Sequence, residues 1–473
     1  MLFHSYEFIL LFLPITFAGF FILSHFHAGN AGKMWFIAAS LFFYSWWDIA
    51  YLPLLLSSIT FNFFIARQIK QCESETRTKK WLLLIGISSN LALLCYFKYM
   101  DFFIANSNEV FGTTFQLMDL ALPLAISFFT LQQIAFLVDV YEGLTEEKSF
   151  LNYMLFVSFF PQLIAGPIVH HRELMPQFIK DENRFVNHRN IAIGLFIFSI
   201  GLFKKIVIAS QFDTSLASLY ASYSDGADIL LLDAWLMSVG YYLQLYFDFS
   251  AYSDMVIGIG LMFNINLPTN FNSPLKATSI VDFWRRWHIT LSNFIRSYLF
   301  TPLLRLYKKP SFNYALIVSF FAMLIMGIWH GAGWNYVLFG TMHALAVVVH
   351  TIWIKFRIKC HKYLGWFLTF NLVNLSLILV RAPTLDQAFS IMQGMVGGVN
   401  MSSFDQYTTD PMHAVFLATI VLLSIALVLY SSNAMELKDK FKPNIFFLCA
   451  TVFLFLCPLF YSNDTTEFIY FQF

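Results

Sequence analysis

Stretches of 17 to 20 apolar residues recur from one end of this 473-residue chain to the other, and that recurrence limits the fold more than any motif. About 20 helical residues cross the hydrocarbon core of a bilayer. The runs are residues 8–26, 34–66 (long enough for two short spans or a re-entrant pair), 81–97, 120–138, 151–166, 190–208, 229–247, 312–329, 334–354, 364–380, 412–430 and 445–461. Backbone polar groups must be satisfied internally in lipid, so these runs predict an all-α polytopic membrane protein with about 11–12 embedded segments. Charged residues make up 12% of the chain, about half the share of a soluble domain. No separate soluble domain is expected, and residues 1–473 read as one membrane domain. The first run has no basic flank and no small-residue cleavage site, so it reads as a retained helix.

Basic residues divide the loops. Lys and Arg cluster in 67–80, 172–189, 276–309 and 355–362, while 99–119 and 382–411 contain neither. The positive-inside rule makes the first set cytosolic and the second non-cytosolic, with both termini on the non-cytosolic side. The five cysteines form no C-x-x-C pair, so neither a disulfide framework nor a metal site is expected. Cys72 and Cys360 lie in basic loops, where acylation is one weakly supported reading.

The longest non-spanning region is 262–311. Its first half is rich in Asn and Pro and predicts a loop. From Ser279, a capping-box pattern with Asp282 precedes an amphipathic run in which Trp284, His288, Leu291 and Ile295 share a face. Such a helix lies at the interface or re-enters the membrane, and an anchoring role suits it as well as a catalytic one.

Histidines in apolar runs are costly and therefore informative. His330 follows the run 312–329 and precedes Gly331-Ala332-Gly333; Asn335 lies just beyond and His343 within the next run. The pattern predicts a helix, a break and a returning helix, with an imidazole near the break. Two readings stay open: a cavity lined by His330 and the glycines, or a histidine bonded to a neighbouring helix with glycines for close packing.

Other chemistries find little support. G-x-S-x-G, Walker A and H-E-x-x-H are absent. "VHHRE" at 169–173 is at most a superficial metal cluster, and Asp248 and Asp254, six residues apart, point to different helix faces. Imidazole is the best available general base.

Four ordered blocks then carry a resemblance: "FFPQLIAGPIVHH" (159–171), "QLYFDFSAYSDMVIGIGLMF" (244–263), "DFWRRWHITLSNFIRSYLF" (282–300) and "GIWHGAGWNYVLFGTMHA" (327–344). Together with "LPLAISFFTLQQIAFLVDVY", "RAPTLDQAF" and the closing "FIYFQF", they resemble the membrane-bound O-acyltransferase family, in its bacterial alginate O-acetylation branch, along the whole chain. The resemblance implies helices around a central cavity and an acyl thioester donor, acetyl-CoA, reaching it from the cytosol, with no bound cofactor. It implies His330 as catalytic base or acyl relay and His288 as the second recurrent histidine. Trp329, Asn335 and His343 are supporting candidates, and Lys276, Arg285, Arg286 and Arg296 are candidates for phosphate contacts to the donor.

The same resemblance implies a glycan acceptor at the cell surface, reached through a periplasmic or extracellular SGNH-type partner from a bacterial inner membrane. Membrane lipid is the other expected partner; nucleic acid is not. The chain departs from the branch at "TPLLRLYKKP", where a "PLGG" segment is common, and at "FGTMHA", where "WG..HG" is common. Arg305, Phe339 and Ala344 therefore mark a subgroup, and bear on acceptor or partner choice. A D-alanyl transferase fed by a carrier protein is the nearer alternative. A transporter is the more distant one, since no inverted repeat is visible.

Overall fold

The computed structural model describes residues 1–26, 30–73, 76–224, 229–397, 408, 410–461 and 468–469, and among these no strand is formed. Contacts divide the chain into two compact units. The first comprises Met1–Phe198 and Asp254–Pro268, the second Ser199–Ser253 and Thr269–Ile469.

The first unit holds α1 (Glu7–Phe26), α2 (Ala31–Ser45), α3 (Ile49–Gln71), α4 (Arg77–Phe111), α5 (Ile126–Tyr141), α6 (Phe150–Ser158) and α7 (His171–Ile179). Two further helices, α8 (His188–Ala221) and α9 (Leu231–Met262), each have residues in both units. That unit also contains α10 (Ile280–Trp284), α11 (Ile289–Ile295), α12 (Phe312–His330), α13 (Trp334–Lys355), α14 (Lys362–Arg381), α15 (Leu385–Gly394), α16 (Pro411–Tyr430) and α17 (Ile445–Tyr461).

Eight of the described helices, α1, α3, α4, α8, α12, α13, α14 and α16, are long and apolar enough to cross a membrane. Apolar α5 and α17 are shorter. The expected run 34–66 resolves into α2 and α3, separated by Asp48, whose carboxylate accepts the Ala50 N–H at 2.8 Å.

Two expected segments are corrected. Residues 151–166 do not form one span: α6 ends at Ser158, Phe159 leaves the helical region (φ −50°, ψ 99°), and one helical turn follows, Phe160–Leu163. Pro161 has no N–H to give the Val157 carbonyl, and it is tolerated here in the first turn of the new helix that starts after the break at Phe159. The expected loop 99–119 is helical over its first half, because nothing breaks α4 before Gly112, which ends it at φ +63°.

Inside lipid, helices gain little from the hydrophobic effect and associate through packing and polar contacts. In the first unit, phenylalanines supply the packing: Phe160 lies 5.2 Å from Phe12 and 5.3 Å from Phe36 between ring centroids. Buried amides supply the polar contacts. Asn62 on α3 and Asn90 on α4 exchange hydrogen bonds at 3.2 and 2.6 Å, and Gln133 donates to Ser58 at 2.9 Å while accepting from Tyr153 at 3.1 Å. His171, the second histidine of "VHHRE", is committed to Thr145 at 2.9 Å and Glu147 at 3.2 Å.

The second unit contains a buried ion pair in which Lys205 Nζ meets Asp248 Oδ1 at 2.6 Å. The other carboxylate oxygen accepts the Ile469 N–H at 2.9 Å, and the Phe468 ring lies 4.5 Å from the Lys205 ammonium. Asp248 therefore anchors the backbone at Ile469 to Lys205.

Candidate functional site

The Trp-His-Gly block forms the tip of a helical hairpin. Helix α12 ends at His330, Gly331 continues in extended backbone, and Gly333 begins α13. The hairpin closes at two glycines: a Cβ on Gly327 would fall within contact distance of the Gly340 Cα, and one on Gly331 would collide with the Tyr336 ring. Of the two open readings, close packing accounts for these glycines. His330 remains partly exposed at the tip, its ring 5.1 Å from buried Trp329 and 5.9 Å from Phe339.

Phe339 reaches His343 one turn further along α13, at 4.7 Å. His343 is fully enclosed by partners. Trp284 donates its indole N–H to Nδ1 at 3.3 Å, so the proton of neutral His343 sits on Nε2 and is given to Ser376 Oγ at 2.9 Å. Ser376 in turn donates to the Val373 carbonyl at 2.8 Å. Both ring nitrogens are thus occupied, which makes His343 a positioning residue for Trp284. Asn335 is likewise committed, giving an amide N–H to the Ala382 carbonyl at 2.6 Å.

His288 has its own frame. The expected amphipathic helix is not continuous: α10 stops at Trp284, and His288 adopts left-handed backbone (φ +42°) before α11 starts. Such a conformation is costly for a residue with a side chain and persists only where its surroundings enforce it. Asn270 does so. Its carbonyl oxygen accepts from His288 Nδ1 at 3.1 Å and Thr290 Oγ1 at 2.9 Å, and its backbone carbonyl accepts the Ile289 N–H at 3.0 Å. With Nδ1 donating, Nε2 is the lone-pair nitrogen of neutral His288. Burial without a compensating charge pushes the imidazole down to about 3, so His288 acts as an acceptor and not a cation at neutral pH. The Ser279 cap is present as expected, accepting from the Asp282 N–H at 3.1 Å.

The four basic candidates separate into two pairs. Arg285 and Arg296 are exposed and line a cavity of about 750 Å³ walled by Trp284, Ile289, Met323 and Met326. Arg286 instead pairs with Asp282 at 2.9 Å, and Lys276 donates to the Ser431 carbonyl at 3.0 Å beyond the end of α16. These last two hold the loop in place and do not face the cavity. Asn270 and Ser376 escaped sequence reasoning: one sits in an Asn/Pro-rich loop and the other is an ordinary serine in an apolar run. Among the described residues no group of three His, Cys, Asp or Glu side chains could hold a metal.

Comparison with known proteins adds a second line of information. Residues 145–379 match the membrane-bound O-acyltransferase (MBOAT) family. Over its full length the chain is 43% identical to a peptidoglycan O-acetyltransferase of Helicobacter pylori, covering 98% of that protein. It is 33% identical to a probable alginate O-acetylase of Azotobacter vinelandii, over 91% of this chain and 85% of the relative. A teichoic acid D-alanyltransferase of Bacillus subtilis is 30% identical over 51% of this chain and 62% of its own.

Proposed function

The chain belongs to the membrane-bound O-acyltransferase family, in the alginate O-acetylation branch, and is an acyltransferase; from that premise we propose that it moves acetyl groups from acetyl-CoA to a cell-envelope glycan, with peptidoglycan the favoured acceptor. The observation that carries this reading is the full-length 43% identity to a peptidoglycan O-acetyltransferase.

In the proposed mechanism, the lone-pair nitrogen of His330 takes the proton of an acceptor hydroxyl. The oxygen attacks the thioester carbonyl, the C–S bond breaks, and the departing thiolate recovers the proton from the imidazolium. A partly exposed imidazole at the hairpin tip suits a group that must meet two substrates in turn. Arg285 and Arg296, at the cavity beside α10 and α11, would attract a phosphate-rich donor. His288, held neutral, would offer a hydrogen-bond acceptor to the donor or pass a proton.

We place the protein in a bacterial inner membrane with the basic loops cytosolic and both termini on the opposite side. Acetyl would then cross the membrane and reach the glycan through an SGNH-type partner. The D-alanyl alternative rests on a relative matching half the chain. Membranes containing the protein, supplied with labelled acetyl-CoA or a D-alanyl-charged carrier protein, separate the two. Label is expected to pass from acetyl-CoA to acceptor or water. Transfer from the carrier protein alone would replace acetyl by D-alanyl.

A further inference from the structure

A second opening in the same unit lies between α13 and α14 and shares no lining residue with the cavity of Arg285 and Arg296. It is a groove of about 580 Å³ lined by apolar side chains including Leu345, Val349, Trp353, Leu368 and Leu372, with His350 in its wall. Its lining on α13 extends from Met342 to Ile354, about 18 Å at 1.5 Å per residue. That is close to one leaflet of hydrocarbon, half of about 30 Å. Spread over this length, the groove of about 580 Å³ is wide enough for an alkyl chain and narrower than a helix of about 10–12 Å diameter.

Charge identifies the head of the occupant. The groove opens beside Ile358 and Cys360 in the loop "KFRIKCHK", where Arg357, Lys359 and Lys362 are exposed. Between residues 283 and 385 the chain carries eleven Lys and Arg and no Asp or Glu. The Asp282 carboxylate reaches the groove lining, where it accepts the Thr278 N–H at 3.2 Å, but it is already paired with Arg286 at 2.9 Å. An apolar slot one leaflet deep under a rim that exposes Arg357, Lys359 and Lys362 matches a lipid with a negative phosphate head.

We propose that the groove between α13 and α14 binds an anionic glycerophospholipid, with one acyl chain along Leu345, Val349 and Leu372 and its phosphate on Arg357, Lys359 and Lys362. Detergent-purified, delipidated full-length protein would be titrated by native mass spectrometry with phosphatidylglycerol, phosphatidylcholine of the same chains, and glycerol phosphate. A basic residue near a lipid surface contributes about 1 kcal/mol, roughly fivefold in affinity. Phosphatidylglycerol is therefore expected to bind at least tenfold more tightly than phosphatidylcholine. The triple substitution Arg357→Gln, Lys359→Gln, Lys362→Gln should abolish that preference, and Ala346→Phe, which fills the groove, should weaken both lipids. Equal retention of the two lipids by the unmodified protein overturns the proposal without any variant. So does a preference that survives the triple substitution, binding unchanged by Ala346→Phe, or glycerol phosphate binding as tightly as the lipid.

Discussion

Trp284 aims its indole N–H at Nδ1 of His343 from 3.3 Å, which fixes the tautomer of a histidine that sequence alone left undefined. The ring links α10 to α13 and, through Ser376, to α14. Since Trp284 also walls the cavity bearing Arg285, this contact ties the shape of that cavity to the hairpin carrying His330.

Replacing His343 by Leu strands one buried donor, the Trp284 N–H, while the Ser376 hydroxyl keeps its bond to the Val373 carbonyl. A stranded buried group costs about 1–3 kcal/mol, so a fall in thermal stability is expected. Ser376→Ala should cost less, and the pair should be sub-additive because both act in one network. Melting of the two single variants and the double variant measures this; simple additivity would show that the network does not act as a unit.

For His288 the expected signature is in acid. Its folded imidazole titrates at about 3, below the ordinary value near 6.5 of the unfolded chain. Between these values the unfolded state binds the extra proton, so this contribution to stability is intact above about pH 6.5 and declines as pH falls. His288→Asn, which tolerates left-handed backbone, should flatten the fall in melting temperature between pH 7 and 5 relative to the parent. An unchanged slope would mean that another group sets the acid limb.

The basic residues should divide by function. Arg285→Gln with Arg296→Gln is expected to raise KM for a phosphate-bearing donor several-fold, more at low salt than at high, with kcat little changed. Arg286→Gln removes the Asp282 ion pair and should lower stability while leaving KM for the donor near the parent value. Steady-state kinetics at two ionic strengths separates these outcomes, and a larger KM effect from Arg286→Gln would reverse the assignment.

Gly327 tests the hairpin. Gly327→Ala places a methyl against the Gly340 backbone, and such overpacking typically costs about 1–3 kcal/mol. Because His330 lies one turn away on α12, activity should fall together with melting temperature. A fully stable and active variant would mean that the helices need not approach so closely.

Much of this was legible in the chain, for reasons specific to each part. Apolar runs report burial in lipid directly, so α1, α3, α12, α13, α14 and α16 appear near their expected positions. The run 151–166 misled because hydropathy is blind to the single backbone break at Phe159, ahead of Pro161. The helix–break–helix around His330 was visible from Gly331 and Gly333. The choice between cavity and packing needed the opposite partner, Gly340, thirteen residues from Gly327. His288 could be read as important but not as left-handed, since its conformation depends on Asn270, eighteen residues away in a loop. Periodicity carries no information about a hydrogen bond of that kind.

The central claim is that His330 carries the acyl chemistry. The direct measurement is acetyl-CoA hydrolysis or transfer by purified His330→Ala, with a folded state confirmed by an unshifted melting temperature. Loss of a general base typically costs about 10²–10⁴ in rate, and the account predicts a fall in that range with donor KM near the parent value. Parental turnover in the folded variant would contradict it.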